Sequence, residues 1–367
     1  MSASISYRLH RRQLISSATD GGVTLIVGAG VSMPRGIPDW NTLARSVWKH
    51  ALKDFPNPWS RQPGSSPKDL PQFLPIVFEL AYQKLGEPAF FDLLKHHLYR
   101  TANFPFTDRT FPRLNESLAV IAQLLVAEHR RKGRRRIASV ITLNADDFLE
   151  QAIARAAGVR GELSEAGIIG AITRSTHRIL PSATIPIYHV HGFLPTDLWT
   201  TGQSPRRMLV FTDLQYWATS ATASSFANRI VSAALSEGKC IFVGVSMRDI
   251  NLLRWLALRG LDRERDQADF AQKRMLRWIN NRSPDDPLDA NDLFKRIEAF
   301  LDDPGTSKSR SLDANFNRHF WIRPASDDPS GFLSKFLYEC RGVRSVDIGG
   351  WRGPSFRKLM AKCFPRE

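Results

Sequence analysis

The sequence predicts an α/β protein with a doubly wound parallel sheet, and three observations lead there. Short runs of β-branched and apolar residues recur along the chain, continuous rather than alternating, as in strands buried on both faces. Stretches with helical apolar spacing separate them. The first run ends in Gly28-Ala29-Gly30, a strand-to-turn sequence of the kind that holds a ligand at the edge of a Rossmann-like sheet.

Taken in order, Val23 to Val27 is the first expected strand, Ile137 to Leu143 the second, Ile185 to Val190 the third and Cys240 to Val243 the fourth. His319 to Ile322 and Val343 to Ile348 come after them as two more. Pro56 to Pro75 is rich in Pro, Ser and Gly and reads as a loop. Phe73 to Val126 then carries helical spacing, first through Phe78, Leu80, Ala81 and Leu85, later through Leu118, Ile121, Leu124 and Leu125. The expectation is one domain over residues 1–350, with a helical insertion at about 56–130 between the first two strands, and a tail at 351–367. Arg259 to Asp313 is charged, with a helix expected over Leu288 to Leu301, as a second insertion or an interaction surface. There is no internal repeat.

Composition narrows the class. With 367 residues and 43% apolar content the chain can bury a sizeable core. No run of 18 apolar residues free of charge occurs and the first residues lack the apolar stretch of a signal peptide, so a cytoplasmic protein without membrane spans is expected. The three cysteines, Cys240, Cys340 and Cys363, are far apart; they suit a reducing compartment and cannot build a four-cysteine zinc site, so no metal is expected. Lysine and arginine exceed the acids by 15, which attracts phosphates and polyanions. The densest basic run, Arg130 to Arg136, has two readings: a patch for nucleic acid or an acidic partner, or a solvated helix end capped by Gly133.

The Gly28 turn is the first candidate site. A strand that ends in G-x-G presents backbone amides at a helix start, where a pyrophosphate fits. Gly28 allows the tight turn and Gly30 lets the backbone approach a ligand. The third glycine of the dehydrogenase fingerprint is missing, since Met33 stands there, and a bare G-x-G is a weak signal.

The residues beyond the turn strengthen that signal. Gly28-Ala29-Gly30-Val31-Ser32 and then Arg35-Gly36-Ile37-Pro38-Asp39-Trp40 together resemble the signature of the sirtuin (SIR2) superfamily. Thr142-Leu143-Asn144-Ala145-Asp146-Asp147, continuing to Glu150, resembles a block of SIR2-like defence proteins, as do His189-Val190-His191-Gly192 and Gly244 to Asn251. Leu209 to Thr212, with Tyr216, resembles a further segment of the same proteins. The resemblance is to SIR2-like NADases of bacterial antiphage systems, among them the Sir2 subunit of Sir2–HerA systems. It implies NAD+ as substrate and cleavage of the nicotinamide–ribose bond. Gly28, Ala29, Gly30, Ser32, Pro38, Asp39, Thr142, Gly244 and Ser246 are then the binding residues, with phosphates at Gly28, Gly30 and Ser32 and the adenosine side at Gly244 and Ser246. Asn144 is placed on the ribose or the attacking water, Asp146 near the nicotinamide carboxamide, and His191 as general base, a role histidine fills near neutral pH. The chain departs from deacetylating sirtuins in lacking their zinc ribbon, and in having Ala145 where a larger residue is common.

Simpler readings stand beside these. His191 can be a core histidine, and Asn144 and Asp146 can cap a helix that begins at Asp147. His189 alternates with His191 and is expected on the same strand face, as support or packing. Two other functions fit the pattern: a protein deacylase or ADP-ribosyltransferase, and a non-catalytic NAD or ADP-ribose sensor that gates a partner. The resemblance also implies a homo-oligomer with a separately encoded activator, a HerA-like ATPase first, an Argonaute or phage component otherwise. Nucleic-acid contact stays open.

Overall fold

The five residues Val23–Val27 (β1) are all buried, and β1 is the middle strand of a seven-stranded parallel sheet. The computed structural model describes residues 3–59, 74–159, 169–172, 184–196, 209–247, 249–280, 291, 295, 316–351 and 353–365. The other strands are β2 (Ile137–Thr142), β3 (Ile169–Ile172), β4 (Ile185–His189), β5 (Lys239–Val243), β6 (His319–Pro324) and β7 (Val343–Ile348). They lie in the order β3-β4-β2-β1-β5-β6-β7, each neighbouring pair parallel.

Burial on both faces explains why the strands read as unbroken apolar runs. Leu25 and Val27 of β1 join one apolar cluster, with Val140, Ile187 and Ile322; Ile26 joins the other, with Ile141, Phe242 and Trp321. Helices cover each face. Between β1 and β2 run α2 (Trp40–Ala51), α3 (Leu74–Leu85), α4 (Glu87–Tyr99) and α5 (Ser117–Arg130). Before β1 stands α1 (Ala3–Thr19), and α6 (Phe148–Ala157) follows β2. The second face takes α8 (Phe226–Glu237), α9 (Ile250–Asn280) and α10 (Phe332–Arg341), while α7 (Asp213–Ala221) precedes α8. The last helix, α11 (Pro354–Cys363), packs against α1 and α5.

From β1 the chain steps to β2 on one side and only later, at β5, to the other side. The carboxyl ends of β1 and β5 therefore flank the topological switch point, where doubly wound sheets take ligands.

Four local readings change. Strand β3 was not foreseen: it is only four residues long, and Gly170 and Ala171 interrupt the β-branched signal of Ile169 and Ile172. Residues 351–367, expected as a tail, contain α11, whose Phe356, Leu359, Met360 and Cys363 are buried. Gly133 does not cap α5, because the helix ends at Arg130, Arg131 is the extended C-cap residue, and Gly133 (φ 100°) turns the chain beyond it. The charged stretch from Arg259 begins inside α9, and of the helix expected over 288–301 only residues 291 and 295, both helical, are among the described residues. Among the described residues no helix is long and apolar enough to cross a membrane.

Candidate active site

Parallel register brings the candidate residues to one edge. The ladders run past the strand ends: Leu143 N–H donates to Val27 O (2.9 Å), Val190 N–H to Thr142 O (3.3 Å) and Gly28 N–H to Val243 O (3.0 Å). The segments after β1, β2, β4 and β5 therefore sit side by side.

The Gly28 turn is not the amide cradle that its sequence suggests. Gly28 N–H is spent on Val243 and Gly30 N–H on Gly244 O (2.9 Å). Two short 3₁₀ turns come next, Ala29–Val31 and Met33–Arg35, in place of an α-helix start. Val31 and Ser32 N–H groups close the first of them on the Gly28 and Ala29 carbonyls, and Arg35 and Gly36 N–H groups close the second on those of Ser32 and Met33. The glycines are needed for a different close approach. A Cβ on Gly28 would lie 2.7 Å from Gly244 O, and one on Gly30 2.9 Å from Gly244 Cα. Gly244 itself has φ +67°, and its Cβ would meet Val31 N at 2.8 Å. The three glycines interlock β1 and β5 across the switch point. Pro38 and Asp39 lie farther along, and the Asp39 carboxylate caps α2 through Thr42 N–H (2.7 Å).

After β2, Thr142 accepts the Asn144 N–H at its Oγ1 (3.0 Å), fixing the turn. The Asn144 amide then reaches across to β1: Nδ2 donates to Gly28 O (3.2 Å) and Ser32 Oγ (3.3 Å). Ser32, fully buried, donates in turn to Asp146 Oδ1 (3.0 Å), which also accepts the Phe148 N–H (3.1 Å) and so caps α6. Asn144, Ser32 and Asp146 thus form one buried polar chain. Burial pushes the Asp146 carboxyl up to about 7, against the Phe148 N–H bond and with help from the charge of Asp147.

Asp147 is a latch. It accepts Thr196 N–H (2.9 Å), Thr196 Oγ1 (2.5 Å) and Gln151 Nε2 (2.8 Å). Burial raises it to about 6, opposed by the Thr196 bonds. Its own N–H donates to the Tyr99 hydroxyl (3.2 Å), which donates to Leu194 O (2.8 Å). The chain after β4 is thereby tied to α4 and α6.

The two histidines part company, contrary to the strand alternation. β4 ends at His189 and the chain turns, with Gly192 at φ 85°. His189 points toward α6: Nε2 meets Glu150 Oε1 at 2.7 Å, with both side chains fully buried, and Nδ1 meets Asn144 O at 3.3 Å. His191 faces elsewhere. Its ring stands 5.7 Å from that of Tyr216 on α7 and 6.4 Å from that of Trp255 on α9. It is 1% exposed, and neither ring nitrogen has a hydrogen-bond partner among the described residues. The Leu209–Phe211 segment runs over it, Val210 N–H donating to His191 O (2.9 Å).

After β5, Ser246 is exposed and Met247 holds φ 55°, an unusual conformation for a side-chain-bearing residue. Trp321 of β6 pins this loop by donating from Nε1 to Val245 O (2.8 Å). The structure thus joins Gly28, Gly30, Ser32, Thr142, Asn144, Asp146 and Gly244 directly; Ala29 lies in the same turn, His191 and Ser246 on the same edge, and Pro38 and Asp39 off it. Glu150, Tyr99, Thr196 and Trp321 were not singled out for roles. Only Glu150 had a sequence signal, as the last residue of its block. A cavity of about 290 Å³ lies apart, between α8 and α9, and shares Trp255 with the surroundings of His191. Among the described residues no cluster of His, Cys, Asp or Glu is arranged to hold a metal ion.

No curated protein matches the chain. Residues 138–299, less than half of the chain, match the family model of the SIR2-like domain; the stretch holds Asn144, Asp146, His191, Gly244 and Ser246 and leaves the Gly28 turn outside. Over that stretch the chain is similar to SIR2-like domains, which supports the sirtuin-like superfamily and, with it, NAD binding and an NAD-related activity.

Proposed function

We propose that the chain is an NAD+ glycohydrolase that cleaves the nicotinamide–ribose bond to give nicotinamide and ADP-ribose. The observation that carries this reading is His191: a buried imidazole with two unpartnered nitrogens among the described residues, just past the carboxyl end of β4 in a stretch similar to SIR2-like domains. An unpaired buried polar group costs about 1–3 kcal/mol, a cost that a ligand hydroxyl or water offsets. In the reaction the C–N electron pair leaves with neutral nicotinamide, and the attacking water gives one proton to His191. Asn144 holds the ribose or that water, and Asp146 the nicotinamide carboxamide. The exposed Ser246 loop is left for the phosphates, since the N–H groups of Gly28, Gly30, Val31 and Ser32 are already bonded.

The proposal extends to regulation. The burial of His191 (1% exposed) and Ser32 (0%) supports a site whose access for NAD+ depends on movement of the chain over it. That closure, with the resemblance to antiphage NADases, supports an effector that depletes NAD+ when a separate partner, a HerA-like ATPase first, engages an oligomer of the chain.

Purified protein, alone and with that partner, should convert NAD+ to nicotinamide and ADP-ribose by chromatography. His191→Ala and Asn144→Ala should each lower turnover by about 100-fold or more with the fold retained. Undiminished NAD+ loss in both variants overturns the site. Acetyl-ADP-ribose formed with an acetylated peptide would point to deacylation instead.

A further inference from the structure

The edge of the sheet opposite the candidate site carries the densest charge in the chain. The end of α5 and the loop to β2 hold Arg130, Arg131, Lys132, Arg134 and Arg135, of which Arg130, Lys132 and Arg134 are exposed. It is not a loose tether. The next residue, Arg136, is buried and anchors it: its N–H donates to Glu128 Oε2 (2.7 Å), its guanidinium lies 2.9 Å from Glu128 Oε1, and Nη2 donates to Pro365 O (2.7 Å). Its carbonyl accepts the Val23 N–H that starts β1 (2.8 Å). Glu128, the one acid between residues 127 and 138, is thereby turned inward, its side chain 2% exposed.

The surroundings add cations. A Cβ on Gly22 would lie 3.9 Å from Arg134 Nη2, so the end of α1 adjoins the loop, and Arg11 of α1 acts electrostatically on Cys363 of α11. Of the exposed acids at this edge, Asp20 is held by Lys239 (3.0 Å), and Glu237 ends α8. Five cations fall within six consecutive residues, Arg130 to Arg135, a density that suits a polyanion over a single phosphate. No large apolar side chain is exposed from 127 to 138. A protein interface would want an apolar centre there and a membrane surface an apolar anchor. Guanidinium groups predominate, and they pair with phosphate oxygens in a bidentate manner.

We propose that this edge binds the phosphodiester backbone of nucleic acid without reading its sequence. The surface is independent of the NAD reading, since none of its residues belongs to the candidate active site.

The test is fluorescence anisotropy with labelled duplex DNA, single-stranded DNA and duplex RNA across a salt series. At least one should bind, with log K falling against log salt at a slope of about −3 or steeper on duplex DNA, about 0.9 per phosphate contact. Lys132→Glu with Arg134→Glu should weaken binding at least tenfold and flatten the slope by about 2. The melting temperature and NAD+ turnover should not change. Arg229→Glu with Lys335→Glu makes the same change in net charge at the starts of α8 and α10, and should keep most of the binding. No salt-dependent binding to any of the three, equal losses in the two double variants, or binding to phosphatidylserine vesicles but to no nucleic acid overturns the proposal.

Discussion

At the scale of single residues, the buried polar groups after β2 and β4 hold one another in place. The Asn144 carbonyl can only accept, so His189 carries its hydrogen on Nδ1, while Nε2 meets Glu150 Oε1. This pair fixes the backbone of Asn144 from behind while the Asn144 amide reaches Gly28 and Ser32 in front. Asp146 adds a pH dependence. Its carboxyl rises from 3.8 to about 7 on folding, so the protonated form favours the native state. That contribution is fully present below about 3.8 and is lost as pH rises through about 7. Asp146→Asn should therefore change stability little at pH 4 and stabilise at pH 8 by up to about 4 kcal/mol, a shift of about three units at about 1.4 kcal/mol each. Denaturant melts of both proteins at the two pH values check this, and a gain at pH 4 equal to that at pH 8 counts against it. The residue types of the site were legible in the sequence, but their partners were not. That His189 turns to Glu150 and His191 to Tyr216 depends on β4 ending at His189, and alternation along a strand cannot reveal where the strand stops.

At the scale of elements, the join between β1 and β5 is the most constrained feature. Gly28 and Gly30 announced a tight turn in the sequence. That their N–H groups serve Val243 and Gly244 could not be read there, because it depends on which distant strand becomes the neighbour of β1. Gly244→Ala combines a positive φ with a 2.8 Å approach to Val31. It should cost about 2 kcal/mol or more, read as a lower denaturant midpoint. An unchanged midpoint would mean that the two loops are not interlocked. The continuous strands were legible because burial on both faces leaves an apolar run, whereas β3 was hidden by Gly170 and Ala171.

At the scale of the molecule, the two edges of the sheet divide the labour. The carboxyl edge gathers the candidate site, and the opposite edge gathers the cations of the α5–β2 loop. The predicted α/β doubly wound sheet is present, with α2 to α5 between β1 and β2. The closing helix α11 was missed because its sequence is short, basic and begins at Pro354, although Phe356, Leu359 and Met360 recur at helical spacing. Phe356 is fully buried, so Phe356→Ala should destabilise the whole fold by about 3–5 kcal/mol in a single unfolding transition. Loss of α11 alone, with the sheet unmoved, would show that the helix is an appendage.

The shielding of His191 has a practical consequence. Diethyl pyrocarbonate acylates imidazole nitrogens that solvent can reach, so the ring becomes a built-in gauge of whether the enclosure has parted. In the resting chain, peptide mass spectrometry should find His50 and His96, both exposed, carrying the label while His191 stays bare. An activator that opens the enclosure would bring His191 into the labelled set before any product forms. Immediate labelling at rest would mean that the ring was never enclosed.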